Sequence, residues 1–173
     1  MKKKSFVIVM LCMVFSMAMA GSIKVIEGNK KVFKSISGLA VLEIDWSNTS
    51  YDGRMTLEEK YGDFTPYEAA ARSGFIQDFN QDCRSVKVVT DDSRAQYKIS
   101  IKVDKVDQYI KVTGLIPGPA TKIWGTLTIS DLESGEVLTV VKIDECNGGA
   151  SPSPFETFSD TFEALGEQIA KMR

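Results

Sequence analysis

Residues 97–103 alternate without a break: Tyr97, Ile99, Ile101 and Val103 on one side, Lys98, Ser100 and Lys102 on the other. Side chains along a strand point to opposite faces with period two, so this segment has one wet face and one that must be covered. Residues 41–46 repeat the pattern, with Leu42, Ile44 and Trp46 set against Glu43 and Asp45. Val86 to Thr90 reads as a short strand, and Ile123, Leu127 and Ile129 form the inward set of a longer one. Asp131 to Glu136 closes a hairpin whose second strand carries Val137, Val141 and Ile143. Beyond Val103 the apolar parity passes to Val106, Ile110 and Val112, which predicts a bulge or bend near Asp104-Lys105.

Two long helices bracket these strands. Thr65-Pro66-x-Glu68 and Ser153-Pro154-x-Glu156 each offer a cap, a first-turn proline and a glutamate able to reach back. Ala71, Phe75, Ile76 and Phe79 form the apolar stripe of the first, which is expected to end near Gln81. Phe155, Phe158, Phe162, Leu165, Ile169 and Met172 form that of the second. A shorter helix is expected from Leu57, capped by Thr56 with Glu59 and ended by Gly62. One-faced strands need one covering layer. The fold class expected is therefore α/β (α+β): a two-layer sandwich with a mainly antiparallel sheet and both long helices on one face.

The first twenty residues do not belong to that domain. Lys2, Lys3 and Lys4 precede an apolar run from Phe6 to Met17 and a small-residue gate at Ala18-Met19-Ala20, the three regions of a secretory signal peptide. Cys12 follows the bulky Leu11, so cleavage after Ala20 is expected rather than acylation, leaving a single domain over 21–173. The run is too short for an ordinary transmembrane helix, and no integral membrane segment is expected after cleavage. The expected location is the periplasm or the exterior.

Without the leader the chain keeps 18 basic against 23 acidic residues, a net charge near −5, and no histidine. That balance lacks the footprint of a nucleic-acid partner. Histidine triads and histidine-ligated metal sites are excluded, and no cofactor or metal is expected. Cys83 and Cys146 remain. An oxidising compartment favours a disulfide between them, across a loop of about sixty residues; two buried thiols acting as small apolar groups are the equal alternative.

Several groups bear on function. Glu43 and Asp45 stand about 7 Å apart on one strand face; a carboxylate pair can serve hydrolysis, but alternating acids on the polar face of a strand are ordinary solubility residues, and that reading is preferred. Asp91-Asp92 and the turn acids Asp131, Glu133 and Glu136 match no calcium loop of established spacing. Gly28 and Gly148-Gly149 do not sit in a phosphate-cradling turn. The segment Gly114-Leu115-Ile116-Pro117-Gly118-Pro119 is stiff and apolar, and Trp124 follows at the parity opposite to Ile123 and Leu127. Leu115, Ile116, Pro117 and Trp124 are the candidate partner-binding residues, as an aromatic beside a stiff apolar loop; a loop folded back over the core edge is the plainer reading.

Gly38-Leu-Ala-Val-Leu-Glu-Ile-Asp-Trp-Ser, Phe79-Asn80-Gln81, the stretch from Val88 to Lys98, Gly125-Thr-Leu-Thr-Ile-Ser-Asp, Ser134-Gly135-Glu136-Val137 and Ile143-Asp-Glu recur in that order in a family this chain resembles. It is an uncharacterised family of small secreted proteins of Gram-negative gut bacteria. More distantly, the layout is similar to the periplasmic lipoprotein activators of penicillin-binding proteins, to the TolB amino-terminal domain and to the periplasmic part of the curli secretion channel. The resemblance implies binding to another envelope protein and no catalysis. The expected function is a non-enzymatic periplasmic accessory protein that contacts an envelope component. A small-molecule or glycan-binding module comes second, and a carboxylate-dependent hydrolase third.

Overall fold

The computed structural model describes residues 22–113 and 116–172. The expected leader at 1–20, with Cys12, and Leu115 lie outside the described residues. Along the chain come β1 (Ser22–Gly28), α1 (Val32–Ser35), β2 (Gly38–Asp45), β3 (Ser50–Tyr51), β4 (Met55–Thr56), α2 (Leu57–Tyr61), α3 (Thr65–Asp82), β5 (Val86–Val89), β6 (Tyr97–Thr113), β7 (Ile116–Asp131), β8 (Val137–Asn147) and α4 (Pro154–Ala170). They form the expected two-layer α+β sandwich. The sheet order is β1-β8-β7-β6-β2-β5, with β3 on the far part of β6 and β4 on β3.

The sheet is mostly antiparallel, and one corner is not. β1, β8, β7 and β6 pair antiparallel, whereas β2 runs parallel to both β5 and β6. The chain leaves β2, passes through α2 and α3, and returns to β5 in its original direction, the long crossover that parallel neighbours require.

The one-sided strands bury the faces expected of them. Leu42, Ile99, Ile101, Leu127, Ile129 and Ile143 meet Phe75 and Phe79 of α3 and Phe158, Phe162, Leu165 and Ile169 of α4 in one core. The two helices approach closely because Gly74 and Gly166 stand where they touch. A Cβ on Gly74 would lie 2.5 Å from the Ser159 carbonyl oxygen, and one on Gly166 2.7 Å from that of Phe75.

Helix starts depart in detail from the sequence pattern. Thr56 and Glu59 form the reciprocal box. At α3, Asp63 accepts the Thr65 N–H at 3.0 Å, and Glu68 turns away to Arg72 at 3.1 Å. At α4, Ser153 flanks the helix without a side-chain cap bond, and Glu156 accepts from the Ser151 hydroxyl.

The disulfide alternative is corrected: Cys83 and Cys146 are both free and buried. Cys83 lies beside the Ser85 hydroxyl at 3.7 Å, while Cys146 donates to the Thr161 carbonyl at 3.6 Å and lies near the Gln168 amide. Each thiol is committed to its own surroundings.

The bulge falls where parity placed it, between Val103 and Lys105. Past it, β6 and β7 continue as a two-stranded arm up to Thr113 opposite Ile116. β8 accompanies β7 only as far as Lys122.

Candidate functional site

At the carboxyl end of β2 the chain passes from the sheet into β3, β4 and α2, and the gap so framed is a cleft of about 550 Å³. Ligands in parallel α/β arrangements collect outside the carboxyl ends of strands, because the connections leaving there diverge. Here β2 is the strand flanked by parallel neighbours on both sides. Trp46, Leu57 and Phe64 supply apolar wall, while Ser47, Thr49, Thr56 and Thr65 supply hydroxyls. Glu58, Asp63 and Glu68 supply carboxylates, and none of the lining residues is basic.

The apolar wall continues inward as a network of rings. Trp46 lies edge-on to Phe64 at 5.0 Å and tilted against Phe162 at 5.6 Å. Phe64 stacks on Tyr67 at 5.6 Å, and Tyr67 meets Phe155 at 4.5 Å. Tyr61 touches Tyr51, Phe64, Tyr67 and Phe158. Offset and edge-on geometry is what ring quadrupoles favour. The rims of this cluster, not its centre, face the cleft.

Two polar atoms in the network have no partner: the Trp46 indole N–H and the Tyr61 hydroxyl are buried and unbonded. Each such group costs about 1–3 kcal/mol. Burial among the rings, with Tyr51 and Tyr67 adjacent, pushes the Tyr61 phenol well above its ordinary pKa. Buried orphan donors are rare enough to need a reason, and here two of them share one cluster behind this cleft.

Two carboxylates of the cleft, Asp63 and Glu68, are held as acceptors. The hydroxyl and N–H of Thr65 pull the Asp63 carboxyl below its usual range. Glu68 is paired to Arg72, whose other arm donates to the Leu42 carbonyl at 2.7 Å. Thr49 anchors the floor by donating to the Val103 carbonyl at 2.6 Å.

The residues singled out from sequence lie elsewhere. Trp124 is half-buried on the helix-free sheet face, opposite Lys105, whose ammonium sits 4.7 Å from the ring centroid. Pro117 is exposed on the arm, seven positions along β7 and hence on the opposite face. Ile116 is the first residue of β7. Pro117 therefore does not form one patch with Trp124. Glu43 and Asp45 also face the helix-free side. Lys98 binds Glu43 at 2.7 Å, and the Ser47 hydroxyl and N–H, ahead of Lys102, lower the Asp45 pKa. Asp131 accepts from Glu133 and Ser134 within its own turn, and Asp92 is clamped by Arg94, which lowers its pKa to about 2.

The cleft itself was missed because Trp46 read as core. The available signal was density: Tyr61, Phe64 and Tyr67 fall within seven residues that also hold Asp63, with Glu58 and Glu68 just outside.

No protein-family model matches the chain, and no curated protein matches it. Solved structures resemble it in layout. A PelC dodecamer from Paraburkholderia phytofirmans is 15% identical, with 88% of this chain and 99% of that chain covered and a TM-score of 0.46. A neuraminyllactose-binding hemagglutinin homolog from Helicobacter pylori is 10% identical, with 84% and 87% covered and a TM-score of 0.38. What each of these binds or assembles into is a property of that protein. Among the described residues, no helix is long and apolar enough to cross a membrane.

Proposed function

We infer that this chain is an exported, non-catalytic binding protein of the cell envelope, and that the cleft at the end of β2 holds a small, hydroxyl-rich ligand of the sugar class. The observation that carries this reading is the pairing of an aromatic wall, Trp46 and Phe64, with hydroxyls and carboxylates around one opening. A sugar offers both matching surfaces: C–H faces that pack on rings, and hydroxyls that donate to fixed carboxylate acceptors. Anionic ligands are disfavoured, since no lining side chain is basic. Asp63 and Glu68 are engaged as acceptors, which suits recognition better than proton donation.

A protein contact is favoured by a separate feature, the exposed Ile110 and Val112 on the arm. The ligand reading is tested by tryptophan fluorescence in a Trp124→Phe background, so that Trp46 alone reports. Titration with neutral oligosaccharides should give a saturable change that Asp63→Asn weakens at least tenfold. Flat titrations across the panel, or binding that Phe64→Ala leaves intact, overturn it.

A further inference from the structure

The upper part of β6 has a neighbour on one side only. β7 pairs with it without a register break from Val106 opposite Ile123 to Thr113 opposite Ile116, but on the other side β3 stops at Tyr51 opposite Val106. Asp52 donates its N–H to the Val106 carbonyl at 2.8 Å, so the backbone groups of Val106 point away from β7. Along an antiparallel pair these directions alternate residue by residue. Gln108, Ile110 and Val112 therefore direct their N–H and C=O groups outward too, and no backbone group of the described residues bonds to them there; the Gln108 N–H is taken by the Asp107 carboxylate at 2.8 Å, which leaves the Gln108 carbonyl and both groups of Ile110 and Val112.

The side chains of these residues also lack cover. They lie on the helix side of the sheet, but α4 begins too low to reach them: Thr157 in its first turn bonds Thr121, the residue opposite Gln108. Ile110 and Val112 are 68% and 67% exposed, more than any other large apolar side chain described. An edge lysine ordinarily guards such a strand. Here the Lys111 ammonium is tied down within its own chain, to the Gly148 carbonyl at 2.6 Å.

The geometry points to a second copy of this chain as the occupant, its β6 edge paired antiparallel with this one about a twofold axis at Ile110. Antiparallel pairing must set outward-facing residues opposite one another. With Ile110 opposite itself, the two Ile110 residues exchange both bonds, and each Gln108 carbonyl meets the N–H of the partner's Val112. Tyr109 then lies against the stem of the partner's Lys111. Centring on Tyr109 loses a pair, since the third would need the Val106 groups that already serve Asp52. Centring on Lys111 sets two lysines face to face, which is unfavourable for directly opposed residues. The Ile110 register brings all three outward residues into the ladder and opposes no like charges. Such an interface is isologous and closes at two copies.

Sedimentation equilibrium on the purified, processed protein reads this out as a concentration-dependent monomer–dimer equilibrium. Ile110→Pro should abolish the dimer with the melting temperature unchanged, because proline on an edge removes only an N–H that faces outward. Ile110→Cys should form a covalent dimer on mild oxidation, since paired residues sit about 5.5 Å apart, within disulfide reach. Val112→Cys should not link to itself, but should link to Gln108→Cys when the two are mixed. A protein that stays monomeric at the highest concentration overturns the assignment. So does a dimer that Ile110→Pro leaves intact, or one in which Val112→Cys links to itself as fast as Ile110→Cys.

Discussion

At the scale of single residues, the most informative groups are two polar atoms that bond to nothing. The Tyr61 hydroxyl is buried among Tyr51, Phe64, Tyr67 and Phe158 with no partner. Removing it deletes a desolvated polar group and little volume, so the two terms that usually oppose each other in a core substitution act unequally. Tyr61→Phe is expected to raise stability by about 1 kcal/mol, read as a higher urea midpoint at unchanged slope. A loss of similar size would mean that the hydroxyl is satisfied in solution, for instance by an internal water, and would remove one of the two orphan groups behind the cleft. The same test on Trp46 is less clean, because Trp46→Phe also gives up ring area against Phe64 and Phe162. Reading such atoms from sequence is not feasible. An indole at position 46 fits the inward face of a strand, and nothing local shows whether its N–H will find an acceptor.

At the scale of elements, α3 and α4 depend on two glycines at their line of contact. Glycine inside a helix is unfavourable by about 1 kcal/mol relative to alanine, so Gly166→Ala would stabilise an isolated α4. In the folded protein the new methyl would sit 2.7 Å from the Phe75 carbonyl and 3.1 Å from the Phe79 nitrogen, both backbone atoms that cannot swing aside. Overpacking of that kind costs about 1–3 kcal/mol. The expected outcome is net destabilisation of about 1–2 kcal/mol, measured by urea unfolding; an unchanged or raised midpoint would mean that the helices slide apart freely. The glycines stood in plain view in the sequence but carried no sign of their role, since the partner backbone comes from the other end of the chain. The stripes they interrupt were legible: Phe75 and Phe79, and Phe158, Phe162, Leu165 and Ile169, bury as their spacing requires. So were the one-faced strands and the bulge after Val103. β1 was not, because its half-buried Ile23 and Val25 make no clean alternation and its ladder with β8 is closed from over a hundred residues away. The direction of β2 relative to β5 and β6 was equally hidden. Alternation fixes which face a strand buries, and says nothing of which way it runs.

At the scale of the whole molecule, the cleft and the free β6 edge lie at one end of the sheet, joined through β3, while the opposite end is closed by turns such as that of Asp131. What holds this arrangement is the core between the layers rather than a covalent tie. A domain of about 150 residues buries roughly two-thirds of its unfolded surface, enough to be stable without the loop-closure contribution of a disulfide. Both cysteines are part of that core: Cys83 behind α3 and Cys146 between β8 and α4. Burial, partly offset by the Gln168 side chain, pushes the Cys146 thiol up to about 12, so at neutral pH it stays protonated and unreactive. In the protein cleaved after residue 20, a thiol reagent should therefore titrate no cysteine in the native state and two in denaturant. The melting temperature should be the same with and without reductant. A native mass lower by two hydrogens, together with a melting temperature that falls on reduction, would show that oxidation forces the pair together and that the layers can shift far enough to allow it. Unreactive thiols that appear only on global unfolding would place both helices within one cooperative unit, and the cleft they back would then be as rigid as the core itself.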